Sequence, residues 1–270
     1  MGDVRTLPLP WSQLTELNLG CIAPWQADES GNLNLRNGLE LLRRCPNLVQ
    51  CYLNIVTSDL PFVAGPTVTL VHLQTLIVRT VDTTIEFLKC LFLPNIRYLH
   101  IWDGDVYIGP TPALQPLERR PRSFTVKLSP ELFSRLALVE LLQRYPEVSQ
   151  FILHPEKHRH DSIFDDAFLS ILTPNPEAPT SLLCPYLKRL QFANGNAQCS
   201  DAAVVQFIRA RMETGNPVEE IDIGFGRQIE TDILPDLQPF ISEGLRVNLR
   251  YYTTFKWEYN AREGLSLDEV

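Results

Sequence analysis

A short pattern of apolar residues recurs along the whole chain and limits how it can fold. Its clearest copy is Ile96-x-x-Leu99-x-Ile101. Because side chains alternate between the two sides of a strand, Leu99 and Ile101 point to one side, and Tyr98 and His100 point to the other. We expect the first side to face a core and the second side to face something that the protein binds.

Nine segments carry this pattern. We call the middle apolar residue of each copy its marker residue. Successive markers are 34, 25, 23, 27, 25, 39, 31 and 26 residues apart, and most of these intervals fit one unit of a strand followed by a helix. The copy around Val126 is the weakest, because Ser123 occupies its first apolar position. The markers are Leu17, Cys51, Leu76, Leu99, Val126, Phe151, Leu190, Ile221 and Val247.

Between the strands, apolar residues recur at helical spacing. Thr83 opens a sequence with the form of a capping box. Ser129 followed by Pro130 is typical of a helix start, and Ser200 and Asp201 are suited to cap another helix. Further helical segments carry the apolar pairs Leu39 and Leu42, Phe168 and Leu172, and Phe207 and Ile208.

These observations predict an α/β fold, a single leucine-rich-repeat-like solenoid over residues 1–270 with about nine strand units. In such a solenoid a curved parallel β-sheet forms the concave face and helices form the convex face. A unit this small cannot bury its apolar side alone, so neighbouring units must stack. Residues 251–270 are expected to form a capping tail. The alternative is a compact α/β domain with several similar strands.

Composition excludes several classes of function. The chain is 44% hydrophobic and has a net charge of -8 without a block of like charges, which argues against nucleic acid or an anionic membrane as its partner. Its six cysteines are widely spaced, so we interpret them as reduced core thiols and not as zinc ligands or disulfides. No leader peptide and no bilayer-spanning run is recognisable. We expect the protein in the cytoplasm or the nucleus.

The order of the segments resembles the leucine-rich-repeat-like C-terminal domains of fungal, basidiomycete-type F-box proteins. The likeness rests on Cys-Pro-Asn-Leu at 45–48, Leu-Pro-Asn-Ile-Arg at 93–97, the alternation with short helices, and the closing Trp-Glu and Glu-Gly-Leu within 257–265. In that family the repeat domain recruits a protein substrate, and a preceding F-box docks on the adaptor of a cullin-based ubiquitin ligase. The resemblance therefore implies the substrate-recognition domain of a ubiquitin-ligase receptor.

No F-box is recognisable in this sequence, because the first repeat begins at Leu14 and the residues before it are too few for a helical bundle. We therefore expect a cullin-ligase adaptor as a partner only if an F-box precedes Met1 in the full gene product. A free-standing repeat scaffold without a ligase role is the rival hypothesis among binding proteins.

The outward positions of the strands predict where a protein substrate binds. The middle of this row is aromatic and apolar and its ends are polar, which is typical of an interface with a polar rim. The alternative is that these side chains only cover the sheet, or that the C-terminal tail folds over them. The residues expected to contact the partner are Tyr52, Ile77, Tyr98, His100, Trp102, Ile152 and Arg189.

Short catalytic motifs are missing from the sequence: there is no nucleophile elbow, no His-Glu-x-x-His pair, no phosphate-binding loop and no dinucleotide fingerprint. We expect no enzymatic activity, no catalytic residue, no metal and no cofactor. The stretch from His154 to Asp166 is rich in histidine and aspartate. It supports one rival hypothesis, an enzyme of unrecognised type.

Overall fold

The structure is a computed structural model, and it describes residues 7–19, 33–56, 65–80, 84–103, 123–154, 163–175 and 182–251. Its strands are β1 (Glu16–Leu19), β2 (Leu33–Asn34), β3 (Gln50–Val56), β4 (Val68–Thr69), β5 (Thr75–Thr80), β6 (Leu91–Phe92), β7 (Tyr98–Asp103), β8 (Phe124–Leu128), β9 (Val148–Leu153), β10 (Arg189–Ala197), β11 (Glu220–Phe225) and β12 (Arg246–Tyr251). Its helices are α1 (Leu35–Arg44), α2 (Thr84–Lys89), α3 (Arg135–Arg144), α4 (Asp166–Leu172), α5 (Asp201–Met212) and α6 (Leu234–Ser242).

The strands form one large sheet whose order follows the chain. The order is β1-β3-β5-β7-β8-β9-β10-β11-β12, with the short β2 beside β3, and the sheet is not closed. Every pairing in it is parallel. A separate small sheet joins β4 and β6. The protein therefore has the predicted α/β fold with a parallel central sheet.

The strand register matches the sequence repeat. Each marker residue lies directly opposite the marker of the neighbouring strand, from Leu17 opposite Cys51 at one edge to Ile221 opposite Val247 at the other. This alignment includes the weakest copy, since Val126 lies between Leu99 and Phe151. The prediction of the nine strands from the apolar pattern is confirmed.

The same tight turn precedes most of these strands. In each case the N–H of the residue three positions before the marker donates to the carbonyl six positions before it, at N···O distances from 3.0 to 3.4 Å. A repeated turn fixes the direction in which each strand leaves its helix or loop. The donors of these hydrogen bonds are Leu14, Leu48, Leu73, Ile96, Val148, Leu187 and Gly244.

Two asparagines of the Pro-Asn motifs join neighbouring units at this turn. The Nδ2 of Asn47 donates to the carbonyl of Ser12 at 2.8 Å, and the Nδ2 of Asn95 donates to the carbonyl of Val71 at 2.7 Å. Both carbonyls lie five positions before the marker of the preceding unit. A sequence feature that supported the family resemblance thus makes the same contact between units in two places.

One hydrophobic core lies between the helices and the marker side of the sheet. It includes the helical residues Leu39, Leu42, Phe168 and Phe207. Five cysteines are buried as free thiols, while Cys21 lies outside the described residues. Burial raises the pKa of the Cys184 and Cys199 thiols to about 12, which leaves them protonated and unreactive. Within the described part of the chain, no helix is long and apolar enough to cross a membrane.

The predicted helix start at Ser129 is wrong. Pro130–Leu132 forms a short 3-10 turn, and α3 begins after Ser134, whose hydroxyl accepts from the backbone N–H of Ala137 at 3.2 Å. Both serines suit an N-cap, and the chain is extended at Phe133 between them, which prevents one continuous helix. Consequently Leu136 is 68% exposed instead of lying in a buried stripe.

Two charged residues are buried among the C-terminal units. Asp201, the first residue of α5, accepts hydrogen bonds from three later segments of the chain. Arg211, near the end of α5, donates to carbonyls that follow α4 and precede β10. Neither role was predicted from the sequence, in which Asp201 was expected only to cap a helix.

Candidate binding face

The side of the large sheet opposite the core carries the residues on either side of each marker. We call this side the outward face. Along it, Tyr52, Ile77, His100, Lys127 and Ile152 lie side by side in one row, because each pairs with the next in the strand register. A second row contains Thr75, Tyr98, Thr125, Gln150 and Arg189.

A second apolar cluster, separate from the core, lies on the outward face. It consists of Tyr52, Ile77 and Trp102, with Tyr98 packed against it. Relative exposures are 1% for Tyr52, 3% for Ile77 and 6% for Trp102. The structure therefore brings together four of the predicted contact residues on β3, β5 and β7. Three of them form a buried floor and only Tyr98 is half-buried.

The other predicted contact residues differ in their surroundings. The imidazole of His100 stacks on Trp102 with ring centroids 6.1 Å apart, and it meets Tyr98 edge to face at the same distance. Ile152 is half-buried on β9, two strands from His100. Arg189 lies three strands from Tyr98 and pairs with Glu220 at 2.9 Å. His100 and Ile152 thus extend the aromatic cluster, while Arg189 does not belong to it.

The C-terminal end of the outward face is a closed polar network. Glu220 binds both Arg189 and Arg246, the latter at 2.8 Å. Asp222 accepts from the amides of Gln191 at 3.1 Å and Asn248 at 3.0 Å, and from the guanidinium of Arg250 at 2.7 Å. These groups satisfy one another, so we interpret this end of the face as a structural rim.

The outward face also holds two residues that were not among the predicted contacts. Arg79 on β5 places its guanidinium carbon 5.5 Å from the centroid of the Trp102 ring. Lys127 on β8 lies between His100 and Ile152 in the strand register. The alternation that selects Thr75 and Ile77 also selects Arg79 one step further along the strand, and this signal was available in the sequence.

Electrostatics keep His100 neutral. Burial, together with the positive charge of Lys127 and the neighbouring His154, lowers the pKa of His100 to about 3. The pKa of His154 is also lowered, by burial and by Lys127. Both imidazoles therefore offer neutral, partly apolar surface next to the aromatic cluster over the physiological range of pH.

The pKa of His100 predicts a loss of stability in mild acid. Between pH 7 and pH 5 the unfolded chain takes up a proton at this histidine and the folded chain does not, so stability falls as the pH falls. The loss from His100 alone is about 2 kcal/mol over this interval. We expect H100F to remove it, as measured by urea unfolding at both pH values. The exposed His72 is the matched control, and an equal loss in H100F and H72F would contradict the assignment.

The histidine and aspartate stretch has no assigned chemistry. His158, His160 and Asp161 lie outside the described residues. Asp165 caps α4 by accepting from the N–H of Phe168 at 2.9 Å, and Asp166 accepts from the N–H of Ser200 at 2.6 Å. Among the residues that the structure describes, no three histidine, cysteine, aspartate or glutamate side chains are placed to hold a metal ion.

Comparison with known proteins gives no identification. No family model matches the chain, and no curated protein and no solved structure is significantly similar to it.

Proposed function

We propose that the protein is a protein-protein interaction module, a leucine-rich-repeat-like solenoid that binds a protein substrate on its outward face. Three observations support the solenoid: the strands follow chain order, the marker residues align across the sheet, and the same turn recurs before the strands. Each unit then contacts its neighbours, and the outward side chains of successive strands form one continuous surface.

The observation that carries the binding function is the aromatic cluster on the outward face. Aromatic side chains supply much of the energy of protein interfaces, and a solvated sheet face has no need of them. Here Tyr98 and His100 stand half-buried above the floor of Tyr52, Ile77 and Trp102. The polar network at the C-terminal end resembles the rim that surrounds such an interface.

The narrower proposal is substrate recognition for an F-box-type ubiquitin ligase. It rests on the resemblance to fungal F-box proteins, which the Asn47 and Asn95 contacts support because the Pro-Asn motifs act between units. A free-standing scaffold with the same binding face is the alternative. The five buried free thiols favour a reducing compartment, and we place the protein in the cytoplasm or the nucleus.

We expect truncation of the half-buried contact residues to weaken binding. Peptides of about 12 residues selected from a random display library on the full chain serve as probes, because the natural partner is unknown. The double variant Y98A/I152A should bind them at least about tenfold more weakly, since both side chains contribute apolar contact area. Affinity is measured by fluorescence anisotropy, and thermal unfolding verifies that the variant folds.

The matched control is the double variant Y186A/I229A. Both of these residues are 52% exposed and lie away from the outward face. They remove the same two kinds of side chain, and peptide affinity should be unchanged. If every selected peptide binds Y98A/I152A as tightly as the wild type, or if no peptide is selected, the proposed binding function is wrong.

A further inference from the structure

Arg79 is a cation without a counter-charge in the described structure. It makes no ion pair with any described residue, and its only neighbour of note is the Trp102 ring beneath its guanidinium. Its Nε atom is buried and has no hydrogen-bond partner. A desolvated guanidinium is costly unless a carboxylate or another acceptor binds it. The free chain therefore carries an unsatisfied charge at the aromatic cluster.

Two other polar groups beside the cluster share this property. The Oε1 of Gln50 and the Oγ1 of Thr75 are buried on the outward face and lack a hydrogen-bond partner in the described part of the chain. Gln50 and Thr75 pair in the strand register, and Thr75 pairs with Tyr98. Buried polar groups without partners are rare in folded proteins and often mark a place that a ligand completes.

The charge of this region differs from that of the whole protein. The chain has a net charge of -8, yet the described outward positions of β3, β5, β7, β8 and β9 carry no carboxylate. They carry two cations, Arg79 and Lys127, next to the aromatic cluster. The carboxylates of the outward face lie on β11, where Glu220 and Asp222 are already bound by arginines, and on β1 at Glu16.

We propose that the outward face binds an acidic peptide segment of its protein partner, with an aspartate or glutamate side chain paired to Arg79 over Trp102. This inference rests on the proposed binding function and specifies its partner. A carboxylate would supply the missing counter-charge, and the planar guanidinium is suited to bind it with two hydrogen bonds. Main-chain N–H groups of the peptide would supply donors for Gln50 and Thr75, and an adjacent apolar side chain would pack on Tyr98.

The test uses the peptides selected on the full chain. We expect them to be enriched in aspartate and glutamate beside aromatic or aliphatic residues. R79M should weaken their binding at least about tenfold, and R79E should weaken it further. A peptide in which lysine replaces the acidic residue should not bind the wild type but should bind R79E. The matched control is R36E, which reverses the charge of an exposed arginine on α1.

A stability measurement separates binding from a structural role. Because Arg79 has no counter-charge in the free chain, R79M should unfold at the same or a higher urea concentration than the wild type. A clear loss of stability in R79M would assign the residue to the fold and overturn the inference. Peptides that need Tyr98 and Ile152 but carry no acidic excess, or that bind R79M unchanged, would overturn the acidic partner while leaving the binding function intact.

Discussion

Replacing Asp201 with alanine is expected to destabilise the protein by about 3–5 kcal/mol, because the change leaves a desolvated guanidinium without its partner. Asp201 is 1% exposed, and its Oδ1 lies 2.8 Å from Nη2 of Arg227. The hydroxyl of Tyr251 donates to the same oxygen at 2.8 Å, and the N–H groups of Glu230 and Thr231 donate to Oδ2. The carboxylate thus ties α5 to the end of β11 and to β12.

The ionised form of Asp201 carries this effect. Burial acts to raise the pKa of the carboxyl, but the hydrogen bonds from Arg227, Thr231, Tyr251 and Glu230 outweigh it and lower the pKa below its ordinary value. The stabilisation is therefore present above the pKa of the unfolded chain, near 3.9, and is lost as the pH falls through the folded pKa.

Urea unfolding at pH 7 measures the change. D201N tests the charge alone, since asparagine keeps the shape of the side chain and loses the ion pair, and it should lose most of the same stability. D236N is the matched control, because Asp236 is an exposed acid in the first turn of α6. A loss below about 1 kcal/mol in D201A would show that Arg227 and Tyr251 find other partners.

We expect R211M to lose about 3 kcal/mol or more, because three buried carbonyls lose their donor together. The Nε of Arg211 donates to the carbonyl of Leu172 at 2.9 Å, and its two terminal nitrogens donate to Cys184 and Leu183 at 2.9 Å. Cys184 has a φ of 49°, a left-handed conformation that is uncommon outside glycine. The guanidinium thereby fixes the turn that leads into β10.

Two variants distinguish geometry from volume at Arg211. R211K keeps a positive charge, but one ammonium group does not match three carbonyls arranged around a planar fork, so it should recover only a minor part of the lost stability. R209M removes an exposed arginine from the same helix and should change the free energy of unfolding by less than about 0.5 kcal/mol. Equal unfolding midpoints for R211M and R209M would exclude the proposed role.

The strands were predictable because each copy of the pattern combines alternation with a nearly constant spacing. A strand that lies against a core on one side needs an apolar residue at every second position, and only a parallel pairing of successive units puts all nine markers side by side. Even Val126, with a serine in its unit, is placed correctly because Val126 and Leu128 keep the alternation. The register follows from the same residues that form the core.

Other parts of the fold depend on contacts that no local pattern contains. α6 was not predicted, because Pro235 and Pro239 interrupt its sequence and Leu237 is its one buried side chain. The choice between Ser129 and Ser134 as a helix cap depends on the extended backbone at Phe133. The partners of Asp201 and Arg211 lie about 26 to 50 residues away in the chain.

The candidate face was predictable in position but not in detail. Alternation assigns Tyr52 and Ile77 to the outward face, and the register joins them to His100. It does not give their burial, because period two specifies a direction and not what lies above a side chain. The satisfied state of Arg189 and the unsatisfied state of Arg79 depend on the charges of neighbouring strands, which only the assembled sheet brings together.

The aligned register has a consequence for how the chain folds. Each new strand closes a loop of at most 39 residues, the separation of Phe151 and Leu190, although the chain has 270 residues. The entropy of loop closure grows only slowly with loop length and is therefore nearly the same for the first pairing and the last. The folding barrier is set by forming one pair of neighbouring units, and further units add stability without adding long-range contacts that would slow folding.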